Sequence, residues 1–84
     1  MNNENLFTAI DENGNESTYK MLYCKKVENK PVVWYTDGIT DKNGKYNIYI
    51  SIYEEKEKIF LLNSIDDDVE MQKYINIFNH DNNI

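Results

Sequence analysis

From Tyr46 to Tyr53 the chain reads YNIYISIY, and this alternation constrains the fold more than any other stretch. Side chains along a strand point to opposite faces with a period of two. Tyr46, Ile48, Ile50 and Ile52 therefore share one face, and Asn47, Tyr49, Ser51 and Tyr53 share the other. The pattern predicts a β-strand whose isoleucine face points at a core. The tyrosine face can sit half-wet, because each ring has an apolar body and a polar tip.

The same period recurs upstream, punctuated by turns. Leu6 to Asp11 reads as a short strand. Asn13-Gly14 in DENGNE and Asn43-Gly44 in DKNGK are hairpin signals, because both central residues of a type I′ turn need positive φ. Ser17 to Val27 reads as a half-buried strand. It places Tyr19, Met21, Tyr23 and Val27 on one face and Lys20, Leu22, Cys24 and Lys26 on the other. Glu28-Asn29-Lys30-Pro31 is a turn, and Pro31, which has no N–H to donate, suits a strand start. Pro31 to Thr36 (PVVWYT) is the most hydrophobic strand, with Trp34 and Tyr35 on opposite faces. Asp37-Gly38 marks a bulge or the strand's end. Glu54 to Lys58 is a charged connection, and Ile59 to Asn63 a short fifth strand.

The period then changes. Met71, Tyr74, Ile75 and Phe78 recur at i, i+3, i+4 and i+7, which is one stripe of a helix. Asp67 and Glu70 have the spacing of a capping box, and Asp66 to Asp68 complement the positive end of the helix dipole. A helix of about 13 residues is marginal alone in water, so it must pack on the sheet. The expected fold is α+β: a small antiparallel β-meander of four or five strands with one C-terminal helix on one face. Residues 1–84 form a single domain, with residues 1–5 and 80–84 frayed.

Composition narrows the function. The formal charge is −6, and every one of the nine basic residues is Lys. Nucleic-acid affinity depends on cationic side chains that displace counterions, and Arg makes the bidentate guanine contact, so direct nucleic-acid binding is not expected. Lys20, Lys25, Lys26 and Lys30 cluster, and read as a solvated charged face. The longest apolar runs are far shorter than the ~20 residues of a membrane span. MNNENLFTAI has no basic n-region or apolar h-region, and one cysteine cannot form an intrachain disulfide, so a cytoplasmic location is expected.

Little in the sequence suggests catalysis. His80 lies near the helix end and Cys24 within a strand, and their spacing does not join them as base and nucleophile. Cys24 reads as a small buried or half-buried apolar residue. Asp11, Asn13 and Asn15 alternate as they would in a calcium loop, but Gly14 stands fourth rather than sixth and Leu22 occupies the twelfth position, so the turn accounts for them. The Asp66–Asp68 cluster with Glu70 serves a helix N-terminus, which favours ionised carboxylates over a split acid–base pair. Neither a metal nor a cofactor is expected, and the chain reads as non-enzymatic. Amphipathic aromatics are in surplus, and Tyr23, Tyr35, Tyr49 and Tyr53 form a candidate protein-binding surface. The strand beginning at Pro31, if it is an edge, could pair with a second copy as a homodimer.

The ordered pieces also resemble a family. Ile10 with DENGNE, then YKML, VVWYTD, NGKYNIYISIYEE and SIDDDVEMQKYINIF are similar in order and spacing to the YrzB-like family, across Leu6 to Phe78. Met71 stands where many members have Trp. The resemblance implies a small acidic cytoplasmic bacterial protein of a domain of unknown function, with no catalytic residues to carry over. The functional expectation is a protein–protein binding or regulatory module that meets another protein through a sheet edge or the tyrosine face. The alternative is an acidic nucleic-acid mimic of the phage-inhibitor type, blocking a basic groove on a nuclease or polymerase.

Overall fold

The computed structural model describes residues 5–82, ordered β1 (Leu6–Ile10), β2 (Glu16–Val27), β3 (Lys30–Thr40), β4 (Tyr46–Lys56), β5 (Ile59–Asn63) and α1 (Asp68–Asp81). Consecutive strands pair antiparallel, and the helix follows the sheet, as the periodicity predicts. The sheet, however, is not an open meander. β1 meets β5 in parallel, with Thr8 opposite Ile59, Ala9 opposite Phe60 and Ile10 opposite Leu61, and the five strands close into a small barrel.

Strand length explains the closure. β2, β3 and β4 have 12, 11 and 11 residues, whereas β1 and β5 have five each. β1 covers only the first part of β2, Glu16 to Lys20, and β5 only the last part of β4, Ile52 to Lys56. The right-handed twist of the long central strands turns these two short strands toward each other, so their outer edges pair. From Val32 to Thr36, β3 is paired with β2 on one side and β4 on the other. The strand beginning at Pro31 is therefore not the edge that homodimerisation through it requires.

β3 is buried on both faces, from Val32 through Thr36. Such a strand reads as a continuous apolar run rather than an alternating one. Val33 and Tyr35 point into the barrel, where they meet Ala9, Phe60 and Leu62, with Phe7, Tyr19, Met21 and Tyr53 around them. Val32 and Trp34 point the other way, under the helix, and meet Val27, Tyr74 and Phe78, with Leu22, Ile50, Ile52, Ile65 and Ile77 around them. Trp34 is 0% exposed, and its indole N–H donates to the Tyr74 carbonyl at 3.1 Å. Of the isoleucine face of β4, Ile50 and Ile52 pack on the helix-side core as expected, whereas Tyr46 and Ile48 are exposed. On the other face Ser51 and Tyr53 line the barrel, and Asn47 and Tyr49 are exposed.

β2 departs from simple alternation. Met21 stands opposite Tyr35, but Tyr23 stands opposite Trp34, so Leu22 is an extra residue in a β-bulge. Tyr19 and Met21 face the barrel, whereas Tyr23 and Val27 lie under the helix, not with them. Leu22 packs on the helix side, while Cys24 stands opposite Val33 and is exposed, which corrects the buried or half-buried place expected for it on the face with Leu22. A second irregularity falls between Thr36 and Thr40, at Asp37-Gly38, where φ of Gly38 is 84°.

The Asn-Gly turns also differ from the type I′ expectation. At Asp11–Asn15 only Gly14 has positive φ, and its N–H reaches the Asp11 carbonyl at 3.0 Å. This is a type I turn followed by a left-handed glycine. The Asp11 carboxylate accepts the Asn15 and Asn13 N–H groups, each at 2.9 Å, and these bonds lower its pKa. Asp41 repeats the arrangement with Asn43 and Lys45. The turns with two successive positive φ values are Glu28-Asn29 and Glu57-Lys58, neither containing glycine.

Asp67 caps α1, accepting from Val69 N at 2.8 Å and Glu70 N at 3.4 Å. Glu70 does not complete the capping box. Its carboxylate accepts the Tyr74 hydroxyl at 2.5 Å and Lys30 at 3.2 Å instead, which pulls its pKa down. Lys25 and Asp81 (2.7 Å) and Lys73 and Glu28 (2.7 Å) tie other parts of the helix to the sheet. Of the ends expected to fray, residues 1–4 and 83–84 lie outside the described residues. Asn5 accepts the Met21 N–H, and the helix runs on through His80 and Asp81.

Candidate functional site

The four tyrosines singled out from sequence do not form one surface. Tyr23 packs between Trp34 and Phe78, and its hydroxyl donates to Asp81 at 2.6 Å. That bond raises the phenol's pKa, and Tyr23 belongs to the seam between helix and sheet. Tyr35 is 7% exposed inside the barrel, hydrogen-bonded to Ser51 at 2.9 Å, so it cannot present an open face. Tyr53 stacks on Phe60 with ring centroids 4.4 Å apart, and its hydroxyl lies 2.9 Å from the Cys24 sulfur. Burial, then the Cys24 contact, pushes its pKa up to about 12. Only Tyr49 is substantially open, at 40% exposure. Adjacent aromatics on a closed sheet are drawn inward, a constraint that alternation alone does not carry.

Tyr49 belongs to a feature that sequence reasoning did not locate. β4 pairs with β5 only from Ile52 onward, so among the described residues the outer backbone edge of residues 46–50 has no strand beside it. Natural edges are commonly blunted by charge, proline or a bulge. Residues 46–50 (YNIYI) contain no charge and no proline. Beside this edge a cavity of about 480 Å³ runs between β4 and α1, walled by Ile48, Ile50, Ile65, Met71, Ile75 and Phe78. Tyr46, Ile48, Tyr49 and Ile75 all remain exposed here, with Ile39 across the β3–β4 hairpin. The signal for this edge was the mismatch in length between the long fourth and short fifth strands.

His80, Cys24 and Asp81 are each engaged with neighbours in the fold. His80 lies 3.3 Å from Asp81, and Cys24 contacts Tyr53, so each has a different neighbour. The Asp81 carboxylate, held by Lys25, then Tyr23 and His80, sits well below the usual carboxylate range. Among the described residues no three His, Cys, Asp or Glu side chains converge as metal ligands would. No helix among them is long and apolar enough to cross a membrane. No family model matches the chain, and no curated protein or solved structure matches it either.

Proposed function

We propose that the protein is a non-enzymatic cytoplasmic binding module that docks an extended segment of a partner protein along the open edge of β4. The observation that supports this most is the uncharged outer edge of residues 46–50, which pairs with β3 on one side only, beside the apolar groove under α1. An added strand would satisfy the free N–H and C=O groups, and its alternate side chains would enter the groove. The net charge of −6 favours a neutral or basic segment. Kinship with the YrzB-like family remains part of this proposal, resting on the order of strands and turns.

Panning a random-peptide display library against the protein tests the reading, with Ile48→Lys as the counter-target. Selected peptides should bind the native protein, shift the amide resonances of residues 46–50 and lose affinity at least tenfold for Ile48→Lys. Peptides that bind both proteins equally, or shift only resonances elsewhere, would overturn it. Capture of polycations that weakens steeply with salt and leaves β4 unshifted would instead favour the acidic nucleic-acid mimic.

A further inference from the structure

The mouth of the barrel holds a second cavity, of about 420 Å³, lined by Ser17, Thr18, Tyr19, Tyr35, Asp37 and Tyr49. Three of its six lining residues are tyrosines, of which Tyr49 is exposed, Tyr19 half-buried and Tyr35 buried. Tyr35 stands in the middle of a row of rings, 4.8 Å from Tyr19 and 5.6 Å from Tyr49 between centroids. The Gly38 bulge follows directly on Asp37, whose carboxylate is half-buried at the cavity.

That carboxylate has two neutral donors. It accepts the Ile39 N–H at 2.9 Å and the Tyr49 hydroxyl at 3.0 Å. A carboxylate offers about four lone-pair sites, so acceptor capacity remains. Among the described residues the ion pairs join Lys25, Lys30, Lys73 and His80 to other acids, and no cation pairs with Asp37.

We propose that this cavity is a binding site for an alkylammonium group. Tyrosine faces attract a cation through the ring quadrupole, and a neighbouring carboxylate supplies the counter-charge. The cavity accommodates a group the size of a trimethylammonium head. A lysine or methylated lysine side chain and a free quaternary amine share this chemistry.

The test follows aromatic and backbone resonances while choline, N-acetyl-lysine methylamide and N-acetyl-trimethyl-lysine methylamide are titrated separately at constant ionic strength. The uncharged isostere 3,3-dimethylbutan-1-ol is the control for shape. At least one cationic probe should give saturable shifts at Tyr19, Tyr49 and Asp37, while the alcohol gives none. Asp37→Asn and Tyr49→Leu should weaken that binding tenfold or more, and Tyr49→Phe, which keeps the ring, should retain it. The tightest probe identifies the source: choline for a free amine, the lysine derivatives for a protein side chain. Equal binding of choline and the alcohol would overturn the proposal, as would the absence of saturation with all three cations. Because every probe is a small molecule, either result stands apart from whether β4 docks a peptide.

Discussion

Glu57 and Lys58 hold left-handed backbone, with φ of 50° and 74°, at the tight turn joining β4 to β5. That conformation brings Cβ too close to the carbonyl oxygen and costs roughly 1–2 kcal/mol per ordinary residue. Replacing the pair by Asn-Gly should raise stability by about 1 kcal/mol, or roughly 4–8 °C in Tm, in a thermal melt. The two native Asn-Gly pairs mark hairpins, as their sequence indicates, but they build a different turn, because each is preceded by an Asp whose carboxylate ties down the loop. Asp81 gives a second expectation at this scale. Its pKa is lower folded than unfolded, so its stabilisation is complete above the unfolded value of about 4 and is lost as pH falls toward the folded one. Thermal melts should show the difference in Tm between the native protein and Asp81→Asn shrinking as pH drops from about 5 to about 2.

The helix is legible in the sequence because its stripe, cap and acidic first turn agree. Which residues of the stripe carry it was less so. Tyr74 and Phe78 are buried under Trp34's side of the sheet, whereas Met71 is half-buried and lines the groove, and Ile75 is exposed. Tyr23 and Lys25 both bond to Asp81 on the β2 side of the helix, whereas on the β4 side the groove stays open. Phe78→Ala should therefore cost about 3–5 kcal/mol in urea unfolding, a large share of what a domain of this size possesses. Asp67→Ala removes only a cap and should cost about 1 kcal/mol. β4 was the clearest strand from its pattern. That one half of it lacks a neighbour could not be read locally, because the gap depends on where β5 ends.

For the molecule as a whole, the closure of β1 on β5 was the least legible feature. Parallel pairing between the first and last strands uses no turn, and nothing in LFTAI or IFLLN names the other. The closure depends on Ala9, which is 1% exposed and stands opposite Phe60. Ala9→Leu should overfill that contact and cost about 1–3 kcal/mol, measured by denaturant midpoint. β3 contributes to both apolar clusters, so the barrel and the helix layer share one strand. Near-UV and far-UV signals should consequently follow a single unfolding transition in the native protein, in Ala9→Leu and in Phe78→Ala.

The extra residue in β2 stands outside the ladder that joins that strand to β3. Leu22 is the unpaired residue, so excising it would leave Met21 opposite Tyr35 and Tyr23 opposite Trp34 in regular alternation, with Tyr23 still under the helix, Cys24 still opposite Val33 and Lys25 still within reach of Asp81. Shrinking Leu22 to alanine keeps the bulge and removes only the packing of that side chain. Both variants should therefore keep the native far-UV spectrum and lose stability only through the contacts Leu22 makes on the helix side, so this position tolerates a change of number as well as a change of identity.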